Sequence, residues 1–188
     1  MTNRLSWITT CQLAAVCACW IAGSSVAQAA DRDDDGREDN AGTLMLALDL
    51  EYATAVSNDF IDNGGGGALR IGTELDLLLV TLIPELTVDY HTFAGDADSD
   101  VTAVTGKVGG RIRFLKILEP GIFSHLGVGH LGGDADHTGV AFDAGVTLDL
   151  TILPLIDLGI HAAYNRVFGK DDDGFTYGTA GAHVALVL

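Results

Sequence analysis

Hydrophobic and polar residues alternate one by one along most of the chain from about residue 44 onward. In the first such segment, Leu44, Leu46 and Leu48 occupy even positions, whereas Asp49 and Glu51 occupy odd ones. Successive side chains of a β-strand point to opposite faces, so this pattern predicts a strand with one apolar and one mostly polar face. In a helix the two sets would be mixed on every face.

The same two-residue period recurs in seven further segments. They cover residues 69–77, 85–91, 104–114, 122–131, 140–152, 156–165 and 179–188. The period is weakest in 122–131 and clearest in 140–152. The chain is therefore predicted to be all-β, with eight strands.

Two kinds of connection alternate between the predicted strands. Pro84, Pro120 and Pro154 are predicted to lie in short turns, where the missing N–H costs no hydrogen bond of the sheet. The longer loops at the opposite end are predicted at residues 58–67, 95–100, 132–139 and 170–174. Four hairpins of this kind form an antiparallel sheet whose edges disappear if it closes into an up-and-down barrel.

The composition indicates which face of this barrel points outward. A soluble barrel fills its interior with the apolar face and covers its exterior with charged residues, but residues 31–188 contain only three lysines, Lys107, Lys116 and Lys170. The apolar face is therefore predicted to contact lipid, while the polar face lines a narrow lumen and all backbone groups pair around the ring. A soluble periplasmic, lipocalin-like ligand-binding barrel is the alternative.

The beginning of the chain has a different character. Arg4 precedes a largely apolar stretch, and small residues ending at Ala29 follow that stretch. This layout predicts a signal peptide at residues 1–29 and export of the remainder. Residues 30–41 are predicted to form a flexible acidic tail, and residues 42–188 the barrel.

Charge and residue content exclude several functions. The chain has 10 Lys and Arg against 26 Asp and Glu, whereas nucleic-acid binding needs a basic face. Cys11, Cys17 and Cys19 all fall in the predicted signal peptide, which excludes thiol catalysis in the exported chain. Ser124 is adjacent to His125, but neighbours in a strand face opposite ways and cannot form a Ser-His couple. We predict no enzymatic activity and no cofactor.

These features together resemble the small outer-membrane β-barrels of Gram-negative bacteria, the OmpA/OmpX-type group. The resemblance spans residues 42–188 and rests on the signal peptide, the eight strands, the short turns at one end and the polar loops at the other. It implies a transmembrane barrel in the cell outer membrane, in contact with its lipid. It also implies an aromatic girdle, for which the candidates are Tyr52, Tyr90, Phe93, Phe168, Phe175 and Tyr177.

Strand parity predicts which charged side chains line the lumen. The acids are Asp49, Glu51, Glu74, Asp76, Glu85, Asp89, Asp143, Asp149 and Asp157, and the bases are Arg70, Lys107, Arg111 and Arg113. Charges withdrawn from water must be paired, so these residues are predicted to form a lumen charge network. An eight-stranded barrel is narrow enough to be filled by its side chains, which predicts a plugged lumen. The excess of acids leaves a small cation-leaning pore as an alternative.

Four histidines share the predicted interior face near the middle of their strands. They are His91, His125, His161 and His183. Histidines in such a place suit a metal site or a proton relay. Their strands are not all adjacent in sequence, however, so we predict that most are hydrogen-bonded side chains and assign no metal.

The polar loops are conspicuously acidic. Asp96, Asp98 and Asp100 alternate in one of them and are weak candidates for a divalent cation such as Ca²⁺, with simple solvated charge as the alternative. The sequence therefore predicts an outer-membrane barrel with a structural or interaction role, in which the loops contact a protein partner of unknown identity.

Overall fold

A computed structural model describes residues 42–56, 61–77, 79–95, 100–133, 136–153, 155–169 and 174–188. The predicted signal peptide, the acidic tail, Asp96 and Asp98 lie outside the described residues. Within these ranges, no helix combines the length and the apolar character needed to cross a membrane.

Eight antiparallel strands follow one another in chain order. They are β1 (Thr43–Ala55), β2 (Ile61–Leu77), β3 (Val80–Gly95), β4 (Val101–Phe114), β5 (Leu118–Gly133), β6 (His137–Leu153), β7 (Ile156–Val167) and β8 (Phe175–Val187). Each strand pairs with its neighbours in sequence, and β8 pairs with β1 to close the barrel. The predicted fold class, an eight-stranded up-and-down β-barrel, is confirmed.

The closing seam between β1 and β8 is as regular as the other ladders. Its register runs from Met45 opposite Val187 to Ala55 opposite Tyr177. Beyond its end, the backbone N–H groups of Leu44 and Leu188 each donate to the other residue's carbonyl oxygen, at 3.0 and 2.8 Å. Closure therefore leaves no free sheet edge, which is the condition for a β-structure in hydrocarbon.

The two faces of the barrel have opposite chemistry. Leu48, Val146 and Ile160 on the exterior are 56%, 57% and 58% exposed, whereas Asp49 and Arg111 in the interior are 2% and 3% exposed. This is the predicted orientation, with aliphatic side chains outward and ionic ones inward. The lipocalin-like alternative requires the reverse orientation.

Two of the predicted turns are wrong, because the prolines lie several residues after the actual turns. Pro84 lies inside β3 opposite Gly110 of β4, and Pro120 lies inside β5. The β2–β3 ladder omits Ile83 and Pro84, between the pairs Gly72–Glu85 and Leu75–Leu82, and the β4–β5 ladder begins only at Gly121, one residue after Pro120. Each proline thus occupies a strand position where one neighbouring ladder is locally absent, so its missing N–H is tolerated. Pro154 lies outside the described residues.

The glycine run at residues 64–67 is also not a loop. It belongs to β2, which begins at Ile61, and it pairs with both β1 and β3. A Cβ atom on Gly66 would lie 2.1 Å from the carbonyl oxygen of Tyr90 and 2.6 Å from the ring of His91. Glycine is therefore required here by close packing against β3 rather than by a turn. The predicted loop at 132–139 is likewise shorter, because β5 extends to Gly133 and β6 starts at His137.

Candidate functional site in the barrel lumen

Buried apolar side chains line both ends of the lumen. The end that carries the longer connections, the loop end, contains Ala53, Phe93, Val101, Ala103, Leu131, Ala141, Val167, Phe175 and Tyr177, which we call the loop-end cluster. The opposite end, the turn end, contains Met45, Ala47, Ile83 and Ala185, which we call the turn-end cluster. Between the two clusters, the interior is lined mainly by charged and polar side chains.

The loop-end cluster corrects the predicted aromatic girdle. Phe93, Phe175 and Tyr177 are buried in the lumen, where the ring of Phe93 meets the other two edge-on at centroid distances of 5.1 Å. Tyr52 and Tyr90 do face outward. Strand parity is enough to predict the interior position of Phe93, because this residue shares its parity with the interior residues of β3.

Arg70 is at the centre of the ionic region. Its Nε and Nη2 donate to the two carboxylate oxygens of Asp49 at 2.8 and 2.9 Å, and its Nη1 donates to Glu85 at 3.2 Å. Glu85 also accepts from Arg111 Nε at 3.3 Å and lies 2.9 Å from His125 Nε2. One fully buried carboxylate therefore joins three cationic or titratable partners from separate strands.

A second group surrounds Lys107. Its Nζ lies 2.9 Å from Asp89 and also forms an ion pair with Asp143. The hydroxyl of Thr105 donates to Asp89 at 2.5 Å, and His125 Nδ1 lies 2.7 Å from Asp143. Because His125 also contacts Glu85, it connects this group to that of Arg70.

At the turn end, Arg113 holds three carboxylates. It forms ion pairs with Glu74, with Asp157 at 2.8 Å and with Glu119 at 3.2 Å. Glu119 was not among the predicted lumen residues, because the sequence placed it in a turn beside Pro120. The start of β5 at Leu118 turns this side chain into the interior.

Asp76 does not belong to the interior. It is exposed near the end of β2, where it accepts hydrogen bonds from Lys116 Nζ and the Thr81 hydroxyl, both at 2.8 Å. The parity of Asp76 is that of the lumen, but the enclosed part of β2 ends before it, with Glu74 only half-buried. The other twelve residues of the predicted network all lie on the interior face. Asp100, the one described loop candidate, is exposed.

Each interior histidine stands opposite a glycine on a neighbouring strand. The pairs are Gly66 with His91, Gly109 with His125, Gly159 with His183 and Gly181 with His161. A Cβ atom on Gly109 or Gly159 would lie 2.5 Å from the imidazole of its partner. Glycine therefore leaves space for the rings of His91, His125 and His183, whereas a Cβ atom on Gly181 would meet the backbone of Leu50 and the Glu51 side chain instead. The cross-strand register reveals these pairs, which the parity of a single strand does not show.

Gly109→Ala should consequently destabilise the barrel, whereas Gly106→Ala on the same strand should not. The added methyl would lie 2.1 Å from the Ser124 carbonyl oxygen as well as against the His125 ring, while a Cβ on Gly106 meets nothing within 4 Å. Overpacking of this kind costs about 1–3 kcal/mol. Urea titration of both variants in detergent micelles measures the difference. Equal stabilities would contradict the role assigned to Gly109.

The other three interior histidines, His91, His161 and His183, lie around Glu51 and Asp49. His91 Nε2 and His161 Nε2 lie 2.6 and 2.9 Å from the two carboxylate oxygens of Glu51. His183 Nε2 lies 2.5 Å from Asp149, and the Nδ1 atoms of His161 and His183 face each other at 3.4 Å. Closure of the barrel produces this arrangement, because β7, β8 and β1 are consecutive only across the seam.

A small cavity lies within the ionic region. Its volume is about 20 Å³, and Asp49, Glu51, Arg70, Arg111 and His161 are among its lining residues. At this level, the cavity in the described interior has room for about one water molecule.

The described residues give no support for a serine nucleophile at Ser124. Its hydroxyl donates to the backbone carbonyl of Asp143 at 3.1 Å, and the side chain is on the exterior face. Both ring nitrogens of His125 contact carboxylates on the interior face. The two side chains are separated by the sheet, as the sequence predicted.

Comparison with known proteins shows a similarity of fold to solved structures. No family model and no curated protein matches the chain. The crystal structure of Neisserial surface protein A (NspA) is similar with a TM-score of 0.58 and 17% identity, over 77% of this chain and 97% of that one. Ail of Yersinia pestis gives 0.48 and 15%, over 78% and 97%, and the outer membrane enzyme PagL gives 0.48 and 12%, over 76% and 99%.

The likeness to Neisserial surface protein A agrees with the closed ladder of eight strands and with the outward aliphatic face. At 17% identity it concerns architecture and leaves activity open. The chain has the fold of the small eight-stranded outer-membrane β-barrels, the class that its sequence pattern resembles.

Proposed function

We propose that the chain is an integral outer-membrane barrel without enzymatic activity, whose lumen is closed and whose role is structural or is exerted through its acidic loops. The outward aliphatic face supports insertion into lipid, because a soluble protein rarely exposes contiguous apolar area on this scale. Membrane-pellet protein with heat-modifiable gel mobility is the expected behaviour. Freely soluble protein would overturn the proposal.

The proposal that the lumen is closed rests on the layers of side chains in the interior. Any solute crossing the barrel would have to displace the loop-end cluster, the ion pairs of Arg70 and Lys107, and the residues at the turn end. Breaking buried ion pairs is costly because each leaves an uncompensated charge. These layers favour a barrel filled by its own side chains over the small cation-leaning pore.

Planar-bilayer recording tests the closed lumen directly. We expect the purified protein to show no conductance above background at a concentration at which a general diffusion porin, as positive control, shows steps. Cation-selective steps that diminish in Asp89→Asn would favour the pore instead. Asp89 is a suitable probe because it is an interior carboxylate contacted by Lys107 and Thr105.

The exposed acids near the loop end support the interaction role. Asp62, Asp100 and Asp136 are exposed there. Such a surface favours a basic protein partner or weakly held divalent cations over an acidic ligand. Isothermal calorimetry with Ca²⁺ is the test: millimolar or absent affinity is expected for solvated charge, and a micromolar site would reveal an organised loop.

A further inference from the structure

The Nδ1 atoms of His161 and His183 and the Oδ1 atom of Asp49 form a nearly equilateral triangle. The two nitrogens are 3.4 Å apart, and each lies 3.7 Å from the Asp49 oxygen. The point equidistant from all three lies about 2.1 Å from each atom, which is the bond length of Zn²⁺ to imidazole nitrogen and carboxylate oxygen. All three residues are buried in the interior.

The partners of the other ring nitrogens orient both histidines toward this point. His161 Nε2 lies 2.9 Å from Glu51, and His183 Nε2 lies 2.5 Å from Asp149. A carboxylate only accepts, so each Nε2 carries the proton and donates it, which leaves the Nδ1 lone pairs directed at each other. Histidine ligands of metals characteristically donate their second N–H to a carboxylate in this way.

Three acceptor atoms at this separation repel one another unless a cation lies between them. Arg70 donates to both oxygens of Asp49, including Oδ1 at 2.9 Å, but each carboxylate oxygen has a second acceptor position that the two imidazoles leave without a donor. The described interior contains nine carboxylates against four Lys and Arg side chains, so the surroundings favour additional positive charge. The nine are Asp49, Glu51, Glu74, Glu85, Asp89, Glu119, Asp143, Asp149 and Asp157.

We propose that Asp49, His161 and His183 form a transition-metal site inside the barrel, suited to Zn²⁺ or a similar borderline cation. A two-imidazole, one-carboxylate set is typical of such ions and poorly suited to Ca²⁺ or Mg²⁺. The cavity beside Asp49 and His161 has room for a water molecule as fourth ligand. The site spans β7, β8 and β1, so the metal would fasten the seam that closes the barrel.

Co²⁺ is the probe for this site, because its visible absorption reports the ligand geometry. Tag-free protein purified from membranes is unfolded in urea with EDTA, freed of chelator and refolded in detergent with Co²⁺ or Zn²⁺. We expect one ion per chain after gel filtration, a tetrahedral Co²⁺ spectrum and a higher thermal midpoint with Zn²⁺. A chain that refolds fully yet retains no stoichiometric metal would overturn the proposal.

Matched variants locate the ion. His161→Gln and His183→Gln should each abolish the Co²⁺ spectrum, whereas His125→Gln should retain it. His125 is the appropriate control because it is equally interior and also holds two carboxylates, but it lies outside the triangle. Retention of the spectrum in His161→Gln and His183→Gln, or its loss in all three variants, would contradict the assignment.

A measurement on the unaltered chain covers the case in which a ligand variant does not fold. X-ray absorption of the Zn²⁺-loaded protein should show two imidazole nitrogens at about 2.0–2.1 Å. A shell of oxygens alone would place the zinc on surface carboxylates and would refute the site.

Discussion

Arg70→Met should destabilise the barrel by about 3–5 kcal/mol, the cost of removing one partner from a buried ion pair. Methionine fills much of the same space but leaves Asp49 without its two donors at 2.8 and 2.9 Å and Glu85 without one of its contacts. The loss is electrostatic rather than steric. Urea unfolding in lipid vesicles, in the presence of EDTA, measures the change in free energy.

Lys116→Met provides the matched control for this prediction. Lys116 also forms an ion pair, with Asp76 at 2.8 Å, but the two side chains are 48% and 65% exposed. Exposed pairs contribute about 0–1 kcal/mol, so this variant should be nearly neutral. Adding Asp49→Asn to Arg70→Met should restore part of the stability, since it removes one unpaired charge. If both single variants lost the same free energy, the interior pairs would not carry the stability assigned to them.

Strand parity accounts for what the sequence predicted well. It identified all eight strands and the interior position of Asp49, Arg70, Lys107 and Arg111, because alternation depends only on backbone geometry and persists along each strand. It failed at Asp76, where the strand runs past the enclosed part of the lumen. The depth of a residue along the barrel axis depends on the stagger of all the strands. The sequence of a single strand gives no information about that stagger.

The errors at Pro84 and at the glycine run 64–67 have a common origin. Both residue types usually mark turns, but in this barrel Pro84 lies where one ladder is interrupted and Gly66 lies against the His91 ring. These are properties of the neighbouring strand. The triangle of Asp49, His161 and His183 could not be predicted from the sequence for the same reason, since it exists only after β8 has paired with β1.

Val146→Arg should cost about 2–4 kcal/mol if the middle of the exterior lies in hydrocarbon. Val146 is 57% exposed on β6, between the aliphatic neighbours Ile122 and Ala162 on the adjacent strands. In water such a residue would tolerate arginine within about 0.5 kcal/mol, because surface substitutions usually have small effects. The expected penalty therefore arises from the bilayer rather than from the fold.

The depth dependence of this penalty separates a membrane effect from a general intolerance of β6 to arginine. Leu153 is 47% exposed at the turn end of the same strand, where an interfacial arginine costs only about 0–1 kcal/mol. Reversible unfolding from vesicles should therefore rank Val146→Arg well below Leu153→Arg in stability. Equal penalties at both positions, or none at either, would contradict a barrel whose aliphatic belt lies in hydrocarbon.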